Sequence, residues 1–275
     1  MKISFAKPGL PATGVVVVAA SKGGVLSKSA EALDKKTSGA LSRAISASRF
    51  DGDRSQFLHV LAPAGTKLNR VLLIGLGKGS DLTDIQMQSL GGIVYAQTWR
   101  IKDGRIALAI DPIEGAKFSA PDMAAEIAFG ARLRSYRFDK YRTKEKASDK
   151  PAIKSMTLHC ANFANARRDF TKLDKIADGV FFTRDLVSEP ANILYPDTLA
   201  KQAKSLEKLG VKVEVLGEAA MRRLGMGSLL GVGQGSERES KMVVMQWNGA
   251  GAARGKGGGS GTNAPVAFVG KGVTF

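Results

Sequence analysis

The stretch Pro265–Phe275, PVAFVGKGVTF, decides how the rest of the sequence is read. It is a short apolar run of β-branched and aromatic residues closed by Gly270, the pattern of a strand buried within a mostly parallel sheet. In open α/β sheets, ligands sit in the crevice beyond the carboxyl ends of the strands. Lys271, between Gly270 and Gly272, falls at such an end. There a lysine serves as Schiff-base former, phosphate clamp or metal ligand, or simply caps a turn. The sequence stops a few residues later, with apolar Val273 and Phe275 directly behind the strand. Chain termini normally lie at the surface, so the sequence is expected to break off inside its functional domain.

Working back from this strand, the glycine-rich run from Gly249 to Gly261 reads as a surface loop. Met242 to Trp247 and the alternating Val211, Val213 and Val215 read as strands, with a short helix over Glu218 to Leu224. Pro196 and Asp197 open another helix, which Gly210 ends. Asn165 to about Val187 is a long amphipathic helix, with Leu173, Ile176, Ala177, Val180 and Phe181 at steps of three and four. It stops before Pro190, because a residue preceding proline is biased away from helix.

The first half alternates strands and helices. Strands are expected at Lys2 to Phe5, Gly14 to Ala20, Gln56 to Leu61, Val71 to Ile74, Arg105 to Ile110 and Met156 to Ala161. Helices are expected from Asp81 or Thr83 to about Arg100 and from Pro121 to Tyr136. Alternation of this kind predicts an α/β domain with helices on both sheet faces. The turn Gly75-Leu76-Gly77-Lys78-Gly79 joins a strand to a helix, a place where backbone N–H groups can cradle phosphate. Its spacing matches neither the dinucleotide fingerprint nor the P-loop.

Composition narrows the function further. With 275 residues, 44% of them hydrophobic, the chain has material for two domains with buried cores. Its longest apolar run, Val15 to Ala20, is far too short to span a bilayer. A single cysteine, Cys160, excludes an internal disulfide framework and a Cys-rich zinc site. The only histidines, His59 and His159, sit in strand-like runs and read as structural. The net charge of +16 divides into +10 over residues 1–150 and +6 over residues 151–275. Its densest patch, Arg132 to Lys150, interleaves eight cations with Tyr136, Phe138 and Tyr141. Such a patch is either a helix end with a solvated linker or a surface for phosphate backbone and stacked bases.

Several stretches also resemble one family. VAFVGKGVTF (Val266 to Phe275) is similar to the segment of the cytosolic leucine aminopeptidase family that directly precedes an Asp-Ser-Gly-Gly motif. GARLRSYRFDKYRTK (Gly130 to Lys144), RDLVSEPANILYPDTLA (Arg184 to Ala200) and GVGQGSERESKMVVMQWNG (Gly231 to Gly249) match in the family's order. RVLLIGLGK (Arg70 to Lys78) resembles a strand and turn of its amino-terminal domain.

The resemblance implies a macro-domain-like α/β domain over 1–161, a bridging helix over 162–189, and the first part of an α/β zinc-exopeptidase-like catalytic domain over 190–275. The activity it implies is hydrolysis of the N-terminal residue, often leucine, from peptides by a cytoplasmic homohexamer. Two divalent ions, Mn²⁺ or Zn²⁺ or else Mg²⁺, would serve as cofactors, with bicarbonate in the complete enzyme. Lys271 matches the lysine that ligates this metal pair, a role that needs the neutral amine; a nearby cation and partial burial favour that form. The family's Asp-Ser-Gly-Gly motif, acidic ligands, second catalytic lysine and bicarbonate-holding arginine would all follow Phe275. No catalytic residue is therefore assigned here, and the 275-residue piece alone is expected to be inactive. Asp185, Glu189, Asp197, Glu237 and Glu239 form no ligand-spaced cluster and read as caps or surface charges. The alternative reading is a nucleic-acid-binding module built on the basic amino-terminal domain, since some family members are DNA-binding regulators.

Overall fold

Four consecutive valines set the centre of the first unit. The computed structural model describes residues 1–102, 104–249 and 265–274, so most of the glycine-rich run after Gly249, together with Phe275, lies outside the described residues. The chain divides into two units, Met1–Thr183 and Arg184–Phe275.

In the first unit, strands β1 (Lys2–Ala6), β2 (Thr13–Ser21), β3 (Val25–Leu26), β4 (Phe57–Leu61), β5 (Lys67–Gly75), β6 (Arg105–Ala109) and β7 (Ser155–His159) make one sheet. Its order is β1-β7-β6-β2-β5-β4, with β3 paired to β2. All neighbours run parallel except β3 on β2 and β4 on β5, which are antiparallel. Strand β2 lies between β5 and β6, and side chains alternate between the two faces of a strand. Val15, Val17 and Ala19 enter one core, and Val16, Val18 and Ala20 enter the other. All four valines are at most 1% exposed. Each is worth about 1.5–3 kcal/mol relative to an exposed side chain.

Helices cover both faces, as the alternation of elements predicts. Leu33 of α1 (Lys28–Lys36) and Leu41 of α2 (Ala40–Ser46) close the second core. The first core is closed by α3 (Asp84–Thr98), α4 (Ala120–Arg134) and Ala166, Phe170 and Ala177 of α5 (Phe163–Ser188).

Local chemistry fixes where these helices begin. Thr83 and Gln86 form a reciprocal capping box on α3, and Pro121 with Asp122 opens α4 below Ser119. Helix α2 is capped from outside itself: the Asp34 carboxylate accepts from the backbone N–H of Leu41 (2.7 Å) and Ser42 (3.1 Å). Burial works against this carboxylate, but the hydrogen bonds from Ser42 and Leu41 hold its pKa below the ordinary value. Asp111, just past β6, accepts from the Ser27 hydroxyl (2.7 Å) and from the Ser29 N–H (2.8 Å) and hydroxyl (2.7 Å). A negative charge thus sits at the start of α1, where the helix dipole favours it.

Helices α3 and α4 touch backbone to backbone. A methyl group added at Gly130 would come within 1.8 Å of the Gln88 carbonyl oxygen, and one at Gly91 within 1.9 Å of that of Ile127. Arg132 of α4 binds Asp174 and Asp178 of α5, each at 3.1 Å, and stacks on Phe181. Partly exposed ion pairs of this kind add little beside the apolar burial.

The second unit is less enclosed. It holds α6 (Pro196–Lys204), β8 (Lys212–Leu216), α7 (Glu218–Arg223), α8 (Gly227–Gly233) and β9 (Met242–Gln246). Gly210, at φ 87°, ends the turn after α6 as expected. Strands β8 and β9 pair antiparallel as a two-stranded sheet. The expected strand over Pro265 to Gly270 does not form: residues 265–274 carry no regular structure, and Val266, Phe268 and Val269 are 80%, 95% and 98% exposed. A strand is stable when a neighbour takes its hydrogen bonds and another layer covers its face. Among the described residues neither is in place for this run.

Two outcomes follow. Gly130→Ala should lower the urea-unfolding free energy of the first unit by about 2–3 kcal/mol, because the backbones must separate to admit the methyl group. In hydrogen exchange, amides of Val16 to Ala20 should stay protected far longer than those of Val266 to Val269, which should exchange at nearly the rate of unfolded chain.

Candidate functional site

Lys271 is the residue singled out from the sequence, and it lies exposed on the irregular segment 265–274. The chain leans on α6 just beyond it, where a methyl group at Gly272 would stand 3.3 Å from Leu199 Cδ2. No group of three or more His, Cys, Asp or Glu side chains that could hold a metal ion occurs among the described residues. Three acids of this unit are engaged elsewhere. Asp197 pairs with Lys201 on the next turn of α6 (2.7 Å), and that hydrogen bond holds the carboxyl below its ordinary pKa. Glu239 pairs with Lys241 (2.8 Å), and Glu218 accepts from the Ser240 N–H (3.0 Å). The Arg238 guanidinium lies 3.6 Å over the Tyr195 ring, fastening the segment before β9 to the start of α6. One lysine, with no such group among the described residues, does not constitute a site for a divalent ion, still less for two. The residues present therefore do not by themselves fit the metal pair.

In the first unit, the crevice beyond the carboxyl ends of β2, β5 and β6 is filled. Between Leu76, Leu82, Met87, Met123 and the strand ends only about 20 Å³ remains, an apolar space on the scale of one water molecule. The glycine turn after β5 spends its donors on the protein itself. The N–H of Gly75 donates to the Gln56 carbonyl (2.9 Å), that of Leu76 to Ala20 (2.9 Å) and that of Gly77 to Gly52 (2.8 Å). A methyl group at Gly75 would lie 2.0 Å from the Asp53 carbonyl oxygen, and one at Gly79 would lie 2.1 Å from that of Glu114. These glycines let three loops approach closely, and the donors of Gly75, Leu76 and Gly77 are already taken.

The histidines are also structural. Burial pushes the pKa of His59 down, and its ring lies 3.5 Å from the Gln97 side-chain oxygen and 3.4 Å from an Arg70 nitrogen. His159 Nδ1 bonds the Lys7 carbonyl oxygen (3.0 Å) at the end of β7. Cys160 is buried, and its burial raises the thiol pKa away from reactivity.

Two family models match in series. Residues 15–145 match the cytosol aminopeptidase family, N-terminal domain, and residues 181–275 match the cytosol aminopeptidase family, catalytic domain. A protein of Caulobacter vibrioides named "Probable cytosol aminopeptidase" is 43% identical over 266 residues, covering 96% of this chain and 50% of the relative. One of the same name from Chelativorans is 42% identical over 274 residues, covering 99% and 52%. The chain thus spans about half the length of the curated relatives it matches. Among solved structures, a tomato leucine aminopeptidase mutant superposes with a TM-score of 0.75 at 24% identity, over 89% of this chain and 50% of that one. A bottromycin maturation enzyme, BotP, in complex with Mn, superposes at 0.64 and 22% identity, over 84% and 44%. At these identities the two superpositions speak for the fold. The serial domain matches and the curated relatives carry more: the chain belongs to the cytosol aminopeptidase family.

Proposed function

We propose that the chain forms part of a metal-dependent aminopeptidase that removes the N-terminal residue, leucine among others, from peptides in the cytosol. The observation that carries this reading is the match of both family domains in order, with Lys271 inside the catalytic-domain match. Residues 1–161 make the amino-terminal domain, 162–189 the bridging helix, and 190–275 the opening of the catalytic domain. Lys271 contributes one neutral amine to a pair of divalent ions, Mn²⁺ or Zn²⁺ or else Mg²⁺, whose carboxylate ligands lie outside the described residues. Bicarbonate and assembly into a homohexamer belong to the same reading. Because one amine cannot hold two cations, the 275-residue chain alone is inactive.

Lys271 is exposed on a segment without regular structure, so replacing it perturbs function without opening a core. The test is to assay leucine p-nitroanilide hydrolysis with Mn²⁺ by the 275-residue chain, alone and co-expressed with the remaining half of the Caulobacter relative. The chain alone should show no turnover. The co-expressed pair should be active, and Lys271→Ala should reduce that activity by about 10²-fold or more, since a lost metal ligand disturbs the whole site. Activity of the chain alone, or full activity of the Lys271→Ala pair, contradicts the reading.

A further inference from the structure

The basic patch at Arg132 to Lys150 is left unexplained by peptidase chemistry, and the structure divides it in two. Part of it is internal packing. Arg132 is held by Asp174 and Asp178, the Tyr136 ring packs on Phe181 at 5.2 Å, and Phe138 meets Tyr141 edge to face at 5.8 Å. The other part forms one wall of an open cleft of about 670 Å³, whose opposite wall is Trp99 and Arg100 at the end of α3. This volume is within the range of small-molecule sites.

The cleft is preorganised by one residue. Arg137 binds Glu145 and Asp139 and donates to the Asp149 carbonyl oxygen (3.3 Å), so a single guanidinium ties both limbs of the loop 138–149 to the end of α4. Glu145 is nearly buried, and the hydrogen bond from Arg137 holds its carboxyl below the ordinary pKa. These two charges cancel. Of the remaining charges in the lining, Arg100, Arg142 and Lys144 outnumber Asp149, an excess of positive charge. Arg100 lies 4.4 Å over the Trp99 ring, which holds its guanidinium in place. Tyr141 is 48% exposed and lines the wall opposite Trp99, so aromatic surface stands on both sides of the cleft beside the cations. Planar aromatic surface next to arginine and lysine suits a ligand with a flat ring at one end and phosphate at the other.

We propose that this cleft binds a nucleoside phosphate, with the base against Trp99 and Tyr141 and the phosphate held by Arg100, Arg142 and Lys144. The same chemistry is presented by a free nucleotide and by the phosphorylated end of a single strand. The cleft shares no residue with the segment that carries Lys271 or with the filled crevice of the sheet, so the inference stands independently of the peptidase reading.

Replacing Trp247, the only other tryptophan, by Phe leaves Trp99 emission as a reporter. The 275-residue chain carrying Trp247→Phe is titrated in low salt with ADP, with a 5′-phosphorylated oligothymidylate and with pyrophosphate. ADP should quench Trp99 saturably with Kd below about 1 mM, and pyrophosphate should bind about tenfold more weakly, because it lacks the ring. The double variant Arg142→Ala/Lys144→Ala should weaken ADP about tenfold with an unchanged unfolding curve, as these side chains are exposed, and Tyr141→Ala should weaken it about fivefold. Tighter binding of the oligonucleotide assigns the site to strand ends; equal or weaker binding assigns it to free nucleotides. The proposal is overturned if neither ligand quenches saturably, if the double variant binds as well as its parent, or if pyrophosphate matches ADP.

Discussion

The apolar face of a β-sheet has to be covered, and strand β2 meets that requirement on both of its faces at once. Its alternating side chains feed two separate cores, so the first unit is organised outward from one run of six residues, Val15 to Ala20. The backbone contact of α3 with α4 at Gly91 and Gly130, and the fastening of α1 to β6 through Asp111, both serve to bring helices close enough to close those cores. In the second unit the requirement is met only in part. Val213 and Met221 are buried, while Met245, Trp247 and the run from Val266 to Val269 lie open.

This difference decides where chemistry is found. The first unit is finished as a folded object: its strand-end crevice is packed with apolar side chains, and its glycine turn is consumed by hydrogen bonds to neighbouring loops. Lys271, by contrast, sits exposed on an irregular segment that touches α6 at Gly272. A metal ligand has to be fixed in position and supported by further ligands, and the described part of the second unit supplies neither condition.

Much of the fold was legible because it rests on short-range signals. The valine run, the start of α3 at Thr83, Pro121 at the start of α4 and Gly210 after α6 each act within a few residues of their place in the chain. The antiparallel direction of β4, the capping of α2 by Asp34 of another helix, and the glycine contact between α3 and α4 depend on residues brought together only by folding. The cleft is of the second kind, since Trp99 and Arg100 are some forty residues from Tyr141 and Arg142. The strand expected over Pro265 to Gly270 failed for an instructive reason: its propensity is genuine, but a strand forms only against a neighbour. The metal role proposed for Lys271 is not contained in spacing or periodicity and comes from the resemblance to the family. The charge patch shows the same limit, because neither composition nor order told which of its cations Asp174, Asp178, Asp139 and Glu145 would engage.

The central proposal is that Lys271 helps to hold the metal ions. Calorimetric titration of Mn²⁺ into the 275-residue chain co-expressed with the remaining half of the Caulobacter relative, beside the same pair carrying Lys271→Ala, tests it most directly. The account predicts saturable Mn²⁺ binding by the parent pair that the replacement weakens about tenfold or more, because the loss of a ligand costs metal affinity. Equal Mn²⁺ binding by the two pairs would contradict it.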